Sequence, residues 1–327
     1  NLSLAPARLA NPYYSWEGNK KLDVALELGF FQDRILITAD WYRNTSNNQL
    51  IYYSLPTQTG FYNILQNFPG KVENKGWELQ LNTINVRGAK ISWSSSFNLT
   101  IAKNKLVEFP GLETSSYASS YLIGEALSIR KGYKYLGVDP ETGIYKFDDK
   151  NKDGQLNSED YYLIESTDPK YYGGFLNTLN YKGVQLDFLF QFTKQKGLHP
   201  IYGSSIAPGG IANFSDLVAD RWQNPGDVTA FQKYTQQAGG EASNAAFLMS
   251  NSDRAFTDAS FVRLRNVSLS YNFSNSLVQK FNCQKIRVFL QGQNLLTLTD
   301  FPGDPETQSQ LALPPLRMIT TGFQIIF

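Results

Sequence analysis

The 327 residues carry a formal net charge of +1, with 30 Lys and Arg against 29 Asp and Glu. This balance excludes the strongly basic surface typical of nucleic-acid-binding proteins, and a single cysteine, Cys283, excludes an internal disulfide framework. Aromatic residues make up 14% of the chain, and no apolar run is long enough for a transmembrane helix, although membrane-spanning strands are not excluded by this.

Alternating apolar and polar residues predict long β-strands, most of them joined in pairs. In the first pair, residues 22–30 and 35–43 alternate with period two around a break at Gln32 and Asp33, which predicts a hairpin. The nine segments with this pattern are 22–30, 35–43, 77–83, 91–101, 175–181, 184–193, 267–273, 286–298 and 316–327. The pattern therefore predicts an all-β protein.

The connections between these segments alternate strictly between short and long. The short connections are 32–33, 86–89, 182–183 and 274–284. The long connections are 44–71, 103–172, 195–260 and 299–315. Outer-membrane barrels have short periplasmic turns and long extracellular loops, whereas a soluble sandwich has no reason to sort its connections in this way. We therefore predict that residues 1–327 form a segment of an antiparallel transmembrane β-barrel with long extracellular loops.

The number of strands and the alternation along them give two further expectations. Single-chain bacterial barrels have an even number of strands, so these nine are expected to pair with strands outside this sequence. The residues expected to face lipid include Leu186, Phe188, Phe190, Ile319, Phe323 and Ile325. The residues expected to face the lumen include Gln185, Asp187, Gln191 and Gln324.

Residues 149–160, called the acidic loop below, have the spacing of a calcium-binding loop. Oxygen-bearing side chains recur at every second position, and Gly154 allows the sharp turn that such loops need. The predicted ligands, with Gln155 contributing its backbone carbonyl, are Asp149, Asn151, Asp153, Gln155, Asn157 and Asp160. The flanking residues predict extended chain instead of EF-hand helices, so the expected role of calcium is structural. The alternative is a polar surface turn that binds nothing.

Four tyrosines of the connection 103–172 are candidates for ligand contact. Tyr117, Tyr121, Tyr133 and Tyr135 present rings on which sugars or peptides could stack, although the same rings could instead pack the loop against its neighbours. The sequence predicts no enzyme, because the lone His199 has no second histidine or serine nucleophile motif beside it, and Cys283 is interpreted as a passive thiol.

Several short motifs, taken together and in order, resemble the C-terminal barrel part of SusC/RagA-type TonB-linked outer-membrane transporters. They are Asn11-Pro12, Trp16-Glu17, Trp41-Tyr42, Asn74-Lys75-Gly76-Trp77-Glu78, Gly137-Val138-Asp139-Pro140-Glu141-Thr142-Gly143 before the acidic loop, Tyr172-Gly173-Gly174-Phe175, Tyr181-Lys182-Gly183 and Phe261-Val262-Arg263-Leu264-Arg265-Asn266. The resemblance implies a 22-stranded barrel in the bacterial outer membrane, with an N-terminal plug, a TonB-binding segment and a SusD-like lipoprotein over the outer mouth. The plug and the earlier strands are expected to lie outside this sequence.

Two functions follow as expectations. The resemblance implies part of an active importer of oligosaccharides or peptides that works with TonB and a SusD-like surface lipoprotein. The alternative is a calcium-stabilised extracellular β-rich module that binds glycans or peptides without transporting them. Membrane fractionation separates the two, because only a barrel should need detergent for its extraction.

Overall fold

The computed structural model describes residues 8–115, 117–210, 213–308 and 313–327, and for residues 163–165 it describes the backbone alone. Parts of the predicted connections 103–172, 195–260 and 299–315 therefore lie outside the described residues. Within the described part of the chain, no helix is long and apolar enough to span a membrane, a finding that has no bearing on strands.

The described elements are mostly strands. In chain order the strands are β1 (Gly18–Phe30), β2 (Ile35–Asn47), β3 (Leu50–Ser54), β4 (Asn63–Asn67), β5 (Lys71–Arg87), β6 (Ile91–Glu108), β7 (Ile129–Gly132), β8 (Tyr135–Val138), β9 (Tyr145–Phe147), β10 (Tyr162–Ser166), β11 (Tyr171–Tyr181), β12 (Val184–Lys194), β13 (Lys196–Leu198), β14 (Phe256–Asp258), β15 (Phe261–Asn272), β16 (Lys285–Leu298) and β17 (Met318–Ile326). The α-helices are α1 (Glu241–Ser250) and α2 (Asn275–Val278).

Nine long strands form one antiparallel sheet, as the sequence predicts. Their order in the sheet is β1-β2-β5-β6-β11-β12-β15-β16-β17, so each long strand neighbours the next long strand along the chain. Strands β1 and β17 stand at the two ends of this order and do not pair with each other. The strands that pair outside this sheet form short two-stranded ribbons within the predicted long connections.

The structure corrects the predicted limits of several strands. Strand β5 begins at Lys71, six residues before the predicted start, and β6 continues to Glu108 instead of ending at residue 101. Polar residues such as Asn74 and Asn104 interrupt the apolar alternation there, but their side chains hydrogen-bond to each other across the two strands (2.6 Å). The backbone ladder therefore continues beyond the end of the apolar pattern, and the first two long connections are shorter than predicted, whereas the third has the predicted limits.

The chain divides into two compact units, which we describe separately. The first unit includes the residues up to Ala25, Asp40–Trp77 and Ala102–Leu127. Its buried apolar residues are Phe68, Val72, Leu106, Phe109 and Leu112. The ring of Phe68 meets the rings of Phe109 and Tyr117 edge-on, with centroids 5.0 and 5.8 Å apart. Such aromatic pairs stabilise beyond the area they bury, and here they join the β3–β4 ribbon to the loop after β6.

The second unit includes Leu26–Ala39, Glu78–Ile101 and Ser128–Phe327. Its main core lies among the connecting segments and not within the long sheet. The buried residues of this core are Tyr133, Tyr145, Phe147, Ile201, Tyr202, Val218, Phe231, Ala245 and Met249. Helix α1 contributes Ala245 and Met249, and β9 contributes Tyr145 and Phe147, so these connections fold as packed structure.

The register of the long sheet separates its two faces. Residues directly paired across antiparallel strands point to the same side, and Leu186 pairs with Leu269, which pairs in turn with Leu290. The neighbouring position, Asp187, pairs with Ser268, which pairs with Gln291. The same reading places all residues expected to face lipid on one side, called the apolar face, and all residues expected to face the lumen on the other, called the polar face. The predicted parity is confirmed.

Asn177 is a polar exception on the apolar face, and its side-chain oxygen is satisfied there. The indole N–H of Trp93 donates to Oδ1 of Asn177 (2.9 Å), and the hydroxyl of Ser95 donates to the same oxygen (2.7 Å). Asn177 is only 2% exposed. A buried polar group on a membrane-facing surface is costly to desolvate unless it is paired. These two bonds satisfy Oδ1 of Asn177, whereas its Nδ2 is buried without a partner among the described residues.

Candidate functional sites

The acidic loop is closed by hydrogen bonds from its own backbone to its own carboxylates. The N–H groups of Lys152 and Gly154 donate to the two oxygens of Asp149 (2.7 and 2.8 Å). The N–H of Gln155 donates to Oδ1 of Asp153 (2.7 Å). Gly154 has a φ of 81°, the left-handed conformation that glycine adopts without strain, which confirms the sharp turn expected at this position.

Asp160 forms the buried end of the acidic loop. It is fully buried, and it accepts hydrogen bonds from the N–H groups of Asn157 (2.9 Å) and Lys150 (2.9 Å). The side-chain oxygen of Asn157 accepts a hydrogen bond from the N–H of Glu159 (2.8 Å) and so caps the short helical turn that ends the loop. The N–H groups of Asn157, Asn151 and Lys150 hold the pKa of Asp160 below its ordinary value.

The geometry of the acidic loop bears on calcium in two ways. The flanks are extended, with β9 before the loop and β10 after it, so the expected absence of EF-hand helices at this loop agrees with its structure. Among the described residues, no group of three or more His, Cys, Asp or Glu side chains is arranged to hold a metal ion. Carboxylate and amide oxygens remain the donors that Ca²⁺ prefers, but in this structure they face backbone N–H groups. Calcium binding stays a prediction.

Tyr117 and Tyr121 lie in the aromatic core of the first unit. Their rings stack on each other with centroids 5.7 Å apart, and the ring of Phe68 meets both of them edge-on. Burial raises the pKa of the Tyr117 phenol. Both tyrosines are half-buried, so each has ring surface in contact with the protein and some that remains exposed.

Tyr133 and Tyr135 lie in the core of the second unit. Tyr133 is only 5% exposed and meets Tyr161 edge-on at 4.9 Å, whereas Tyr135 is half-buried and meets Tyr145 at 5.7 Å. Burial raises the pKa of each phenol to about 12. These contacts account for Tyr133 as a packing residue and leave part of Tyr135 exposed, so the predicted contact of these tyrosines with a ligand stays a prediction.

The core of the second unit contains an aromatic and cationic cluster that sequence patterns did not reveal. The guanidinium of Arg254 lies over the ring of Tyr202 (4.8 Å), which stacks on Phe231 (4.9 Å). His199 lies against Tyr202, and its Nδ1 accepts hydrogen bonds from two backbone N–H groups of the following turn. Burial, and secondarily the charge of Arg254, lower the pKa of His199 to about 4. His199 is therefore a neutral turn-capping residue.

A charged network, called the Arg263 network, anchors the last long connection to β15. Arg263 is 1% exposed, and its guanidinium donates to Asp304 (2.5 Å), Glu306 (2.6 Å) and the hydroxyl of Thr297 (3.0 Å). The more exposed Arg265 also donates to Glu306 (2.8 Å). Because Arg263 pairs with Gln191 across the sheet, it belongs to the polar face. The network therefore holds residues 304–306 against the side of the sheet expected to line the lumen.

The polar face also contains hydrogen-bonded side chains nearer the short turns. The hydroxyl of Thr178 donates to Oδ1 of Asp187 (2.8 Å), and the amide of Gln185 donates to its Oδ2 (2.8 Å). On the neighbouring strands, the guanidinium of Arg287 donates to the hydroxyl of Ser270 (3.0 Å). One face of hydrogen-bonded polar residues and one of apolar residues, on strands long enough to cross a bilayer, define a segment of a transmembrane β-barrel.

Comparisons with known proteins place this segment in a family. The family model described as TonB dependent receptor-like, beta-barrel matches residues 3–295, and the chain belongs to this family of outer-membrane proteins. TonB-dependent receptor P26 of Formosa agariphila is 31% identical over 91% of the chain and 32% of the receptor. TonB-dependent receptor SusC of Bacteroides thetaiotaomicron is 24% identical over 93% of the chain and 31% of the receptor.

The fold is also similar to that of solved structures. The RagAB peptide transporter matches with a TM-score of 0.83 and 25% identity, over 99% of the chain and 37% of the matched chain. The RagAB peptide importer in its 'open-open' state matches with a TM-score of 0.79. The chain spans about a third of the length of the curated relatives it matches. These matches confirm the resemblance to SusC/RagA-type barrels and the outer-membrane location.

Proposed function

We propose that the chain forms nine strands of a TonB-dependent active importer of oligosaccharides or peptides. The observation that carries this proposal is the polar face of the long sheet, which would line the passage, while the apolar face contacts lipid. The fold similarity to the RagAB peptide transporter supports import. The Arg263 network holds residues 304–306 on the polar face. In this proposal, the connection that contains these residues narrows the passage at its outer end.

We further propose that TonB and a SusD-like lipoprotein are partners of the protein that contains this chain. The resemblance of the sequence to SusC/RagA-type transporters supports both partners. The packed connections support an outer surface stable enough to receive a lid. The core around Tyr202 and Phe231 packs segments of two long connections together, and exposed apolar side chains such as Leu217, Val228 and Phe247 project beside it.

Uptake in cells tests the proposed import. A strain lacking the gene should lose accumulation of labelled oligopeptides or oligosaccharides of a defined library, and the intact gene should restore it. Inactivating TonB should abolish the same uptake, and co-purification should recover a surface lipoprotein. Unchanged uptake of every library member without the gene would contradict the proposal, and the class of substrate that is lost would decide between peptides and glycans.

The alternative function, a binding module without transport, is tested by extraction. The module should leave the membrane fraction in salt or carbonate, whereas a barrel should require detergent. The apolar face favours the barrel, because side chains such as Ile319 (71% exposed) and Phe323 (74% exposed) have no covering in the described part of the chain.

We also propose that the acidic loop binds calcium as a structural ion. The support is its donor set: carboxylates at Asp149, Asp153 and Asp160, with the Asn151 amide oxygen beside them. Binding would require the carboxylates to exchange backbone N–H partners for the cation. Calcium should raise the protection of residues 149–160 from hydrogen exchange, magnesium should do so less, and the double variant D149N/D153N should abolish the effect. Equal protection with and without calcium would contradict the proposal.

A further inference from the structure

Three neighbouring strands change from apolar to cationic at the same end of the apolar face. Along β1 this face presents Phe30, Leu28, Leu26, Val24 and Leu22, and the next residue on it is Lys20. Along β2 it presents Trp41 and then Arg43, and along β5 it presents Trp77 and then Lys75. This end adjoins the long connections, so it is the extracellular end of each strand.

The cationic end lies at the height of the outer membrane interface. Lys20 is ten residues from Phe30 on β1, which corresponds to roughly 25 Å along the membrane normal for a strand with a rise of about 3.3 Å per residue and a tilt of about 40°. The apolar band of such barrels is also about 25 Å tall and is bordered by aromatic residues. Trp77, 51% exposed on the same face, is one such residue. The cations therefore lie level with lipid headgroups.

The side chains at this end line a cavity that is cationic. It has a volume of about 400 Å³, and no carboxylate lines it. The residues that line it are Gly18, Lys20, Lys21, Leu22, Arg43, Thr45, Asn47 and Lys71. The cations of Lys20, Arg43 and Lys71, with a hydroxyl and an amide, thus lie around one space above the exposed side chain of Leu22, whereas Lys21 alternates to the opposite face of β1. Such a set suits an anion with several acceptor oxygens attached to an apolar body.

The nearby carboxylates leave much of this positive charge uncompensated. The almost buried Glu73 is shared between Arg43 (2.6 Å) and Lys75 (3.1 Å), so one carboxylate serves two cations. Glu108 pairs with Lys71 (3.0 Å). Within the described residues, Lys20 has no carboxylate partner. Glu73 holds the guanidinium of Arg43 in place without cancelling the charge of the group.

We infer that this cavity, named the rim cavity, binds the phosphate-bearing headgroup of an outer-leaflet glycolipid of the lipid A type. The phosphate oxygens lie among Lys20, Arg43 and Lys71, and the acyl chains run down the apolar face past Leu22. Such a lipid has a charged headgroup that matches the cations and an apolar body that matches the surface below them. Its binding holds the extracellular end of these strands at the membrane interface, a role separate from import.

Lipid binding to the complete receptor that contains this chain tests the inference. The receptor is placed in phosphatidylcholine nanodiscs with either phosphorylated or dephosphorylated lipid A, and native mass spectrometry measures the lipid retained. The wild type should retain the phosphorylated form preferentially. The double variant K20Q/K71Q should weaken retention on the order of fivefold for each lysine removed, while heat-modifiable migration confirms that it is folded.

A matched variant on the opposite side of the membrane is the control. The variant K280Q/K285Q removes the same charge near the short connection 274–284 and should retain phosphorylated lipid A as the wild type does. The inference is overturned if K20Q/K71Q keeps wild-type retention, if the control loses retention equally, or if the wild type retains both forms of lipid A alike. Replacing Lys20 by arginine should preserve binding.

Discussion

The acidic loop and the Arg263 network both hold clustered carboxylates, but they find partners at very different distances along the chain. In the acidic loop, the hydrogen-bond partners of Asp160 are backbone N–H groups that lie within ten residues of it. In the network, the partners of Asp304 and Glu306 include Arg263, 41 and 43 residues away. The first arrangement belongs to a local motif, and the second exists only because the sheet places Arg263 under the connection.

The difference teaches which charges depend on the whole fold. The carboxylates of the acidic loop accept hydrogen bonds from backbone N–H groups of the same loop. Replacing one of these carboxylates should therefore loosen this segment alone. The sheet and the connection together remove the Arg263 guanidinium from water. Replacing Arg263 therefore leaves the carboxylates of Asp304 and Glu306 without this positive charge in a site that is partly shielded from water. We therefore expect a global effect from the network and a local one from the loop.

The largest expected effect comes from Arg263. The variant R263M should lower the free energy of unfolding by about 3–5 kcal/mol, the cost of breaking a buried ion pair from one side. Urea unfolding in lipid vesicles measures it. The variant R265M removes a cation that is 33% exposed and should cost at most about 1 kcal/mol. Equal losses of unfolding free energy in the two variants would contradict the role given to the burial of Arg263. Adding D304N/E306Q to R263M should recover part of the lost free energy, because it removes the carboxylates left without a partner.

The next effect compares the two faces of β16 at one height. A lysine at Leu290, on the apolar face, should cost about 2–4 kcal/mol near the middle of the bilayer, whereas a lysine at the adjacent Gln291 should cost much less. Both variants introduce the same side chain one residue apart, so the difference reports the face alone. Unfolding in vesicles measures both, and equal costs would contradict the assignment of the apolar face to lipid.

The smallest effect concerns the acidic loop. The variant D160A leaves the N–H groups of Asn157 and Lys150 without their acceptor, which should cost about 1–3 kcal/mol in the local opening of residues 149–160. Hydrogen exchange of this segment measures it, with D153N, at an exposed position, as the control. Because the pKa of Asp160 is lowered in the fold, its contribution is present above the unfolded pKa of about 3.9 and is lost as pH falls through the folded value. Protection that is unchanged in D160A would contradict this role.

The same contrast explains what the sequence could predict. The alternation of Leu22 to Phe30, and the turn at Gly154, are local patterns with a local physical cause, so the nine strands and the loop conformation follow from them. The four strand pairs that are joined by short connections follow as well, since a short connection makes consecutive strands pair with each other. The outer ends of β5 and β6 were missed, because the pairing of Asn74 with Asn104 carries no apolar signal.

The contents of the long connections could not be predicted in this way. Helix α1 has four buried residues, three of them alanine, and presents only a weak apolar stripe, so no helical period marked it. The packing of Arg254 on Tyr202 and the Arg263 network join residues far apart in sequence. The four candidate tyrosines could be named from the sequence, but only the fold distinguishes the 5% exposed Tyr133 from its more exposed neighbours.

The central claim is that the long sheet crosses the outer membrane with its apolar face on lipid, and β17 tests it most directly. In a background in which Cys283 is replaced by serine, single cysteines at positions 318–325 are labelled in membranes with a fluorophore, and quenching by lipid-soluble and water-soluble agents is compared. Labels at Ile319, Phe323 and Ile325 should be quenched from lipid, and labels at Thr320 and Gln324 from water. Quenching from water at both sets alike would contradict the account.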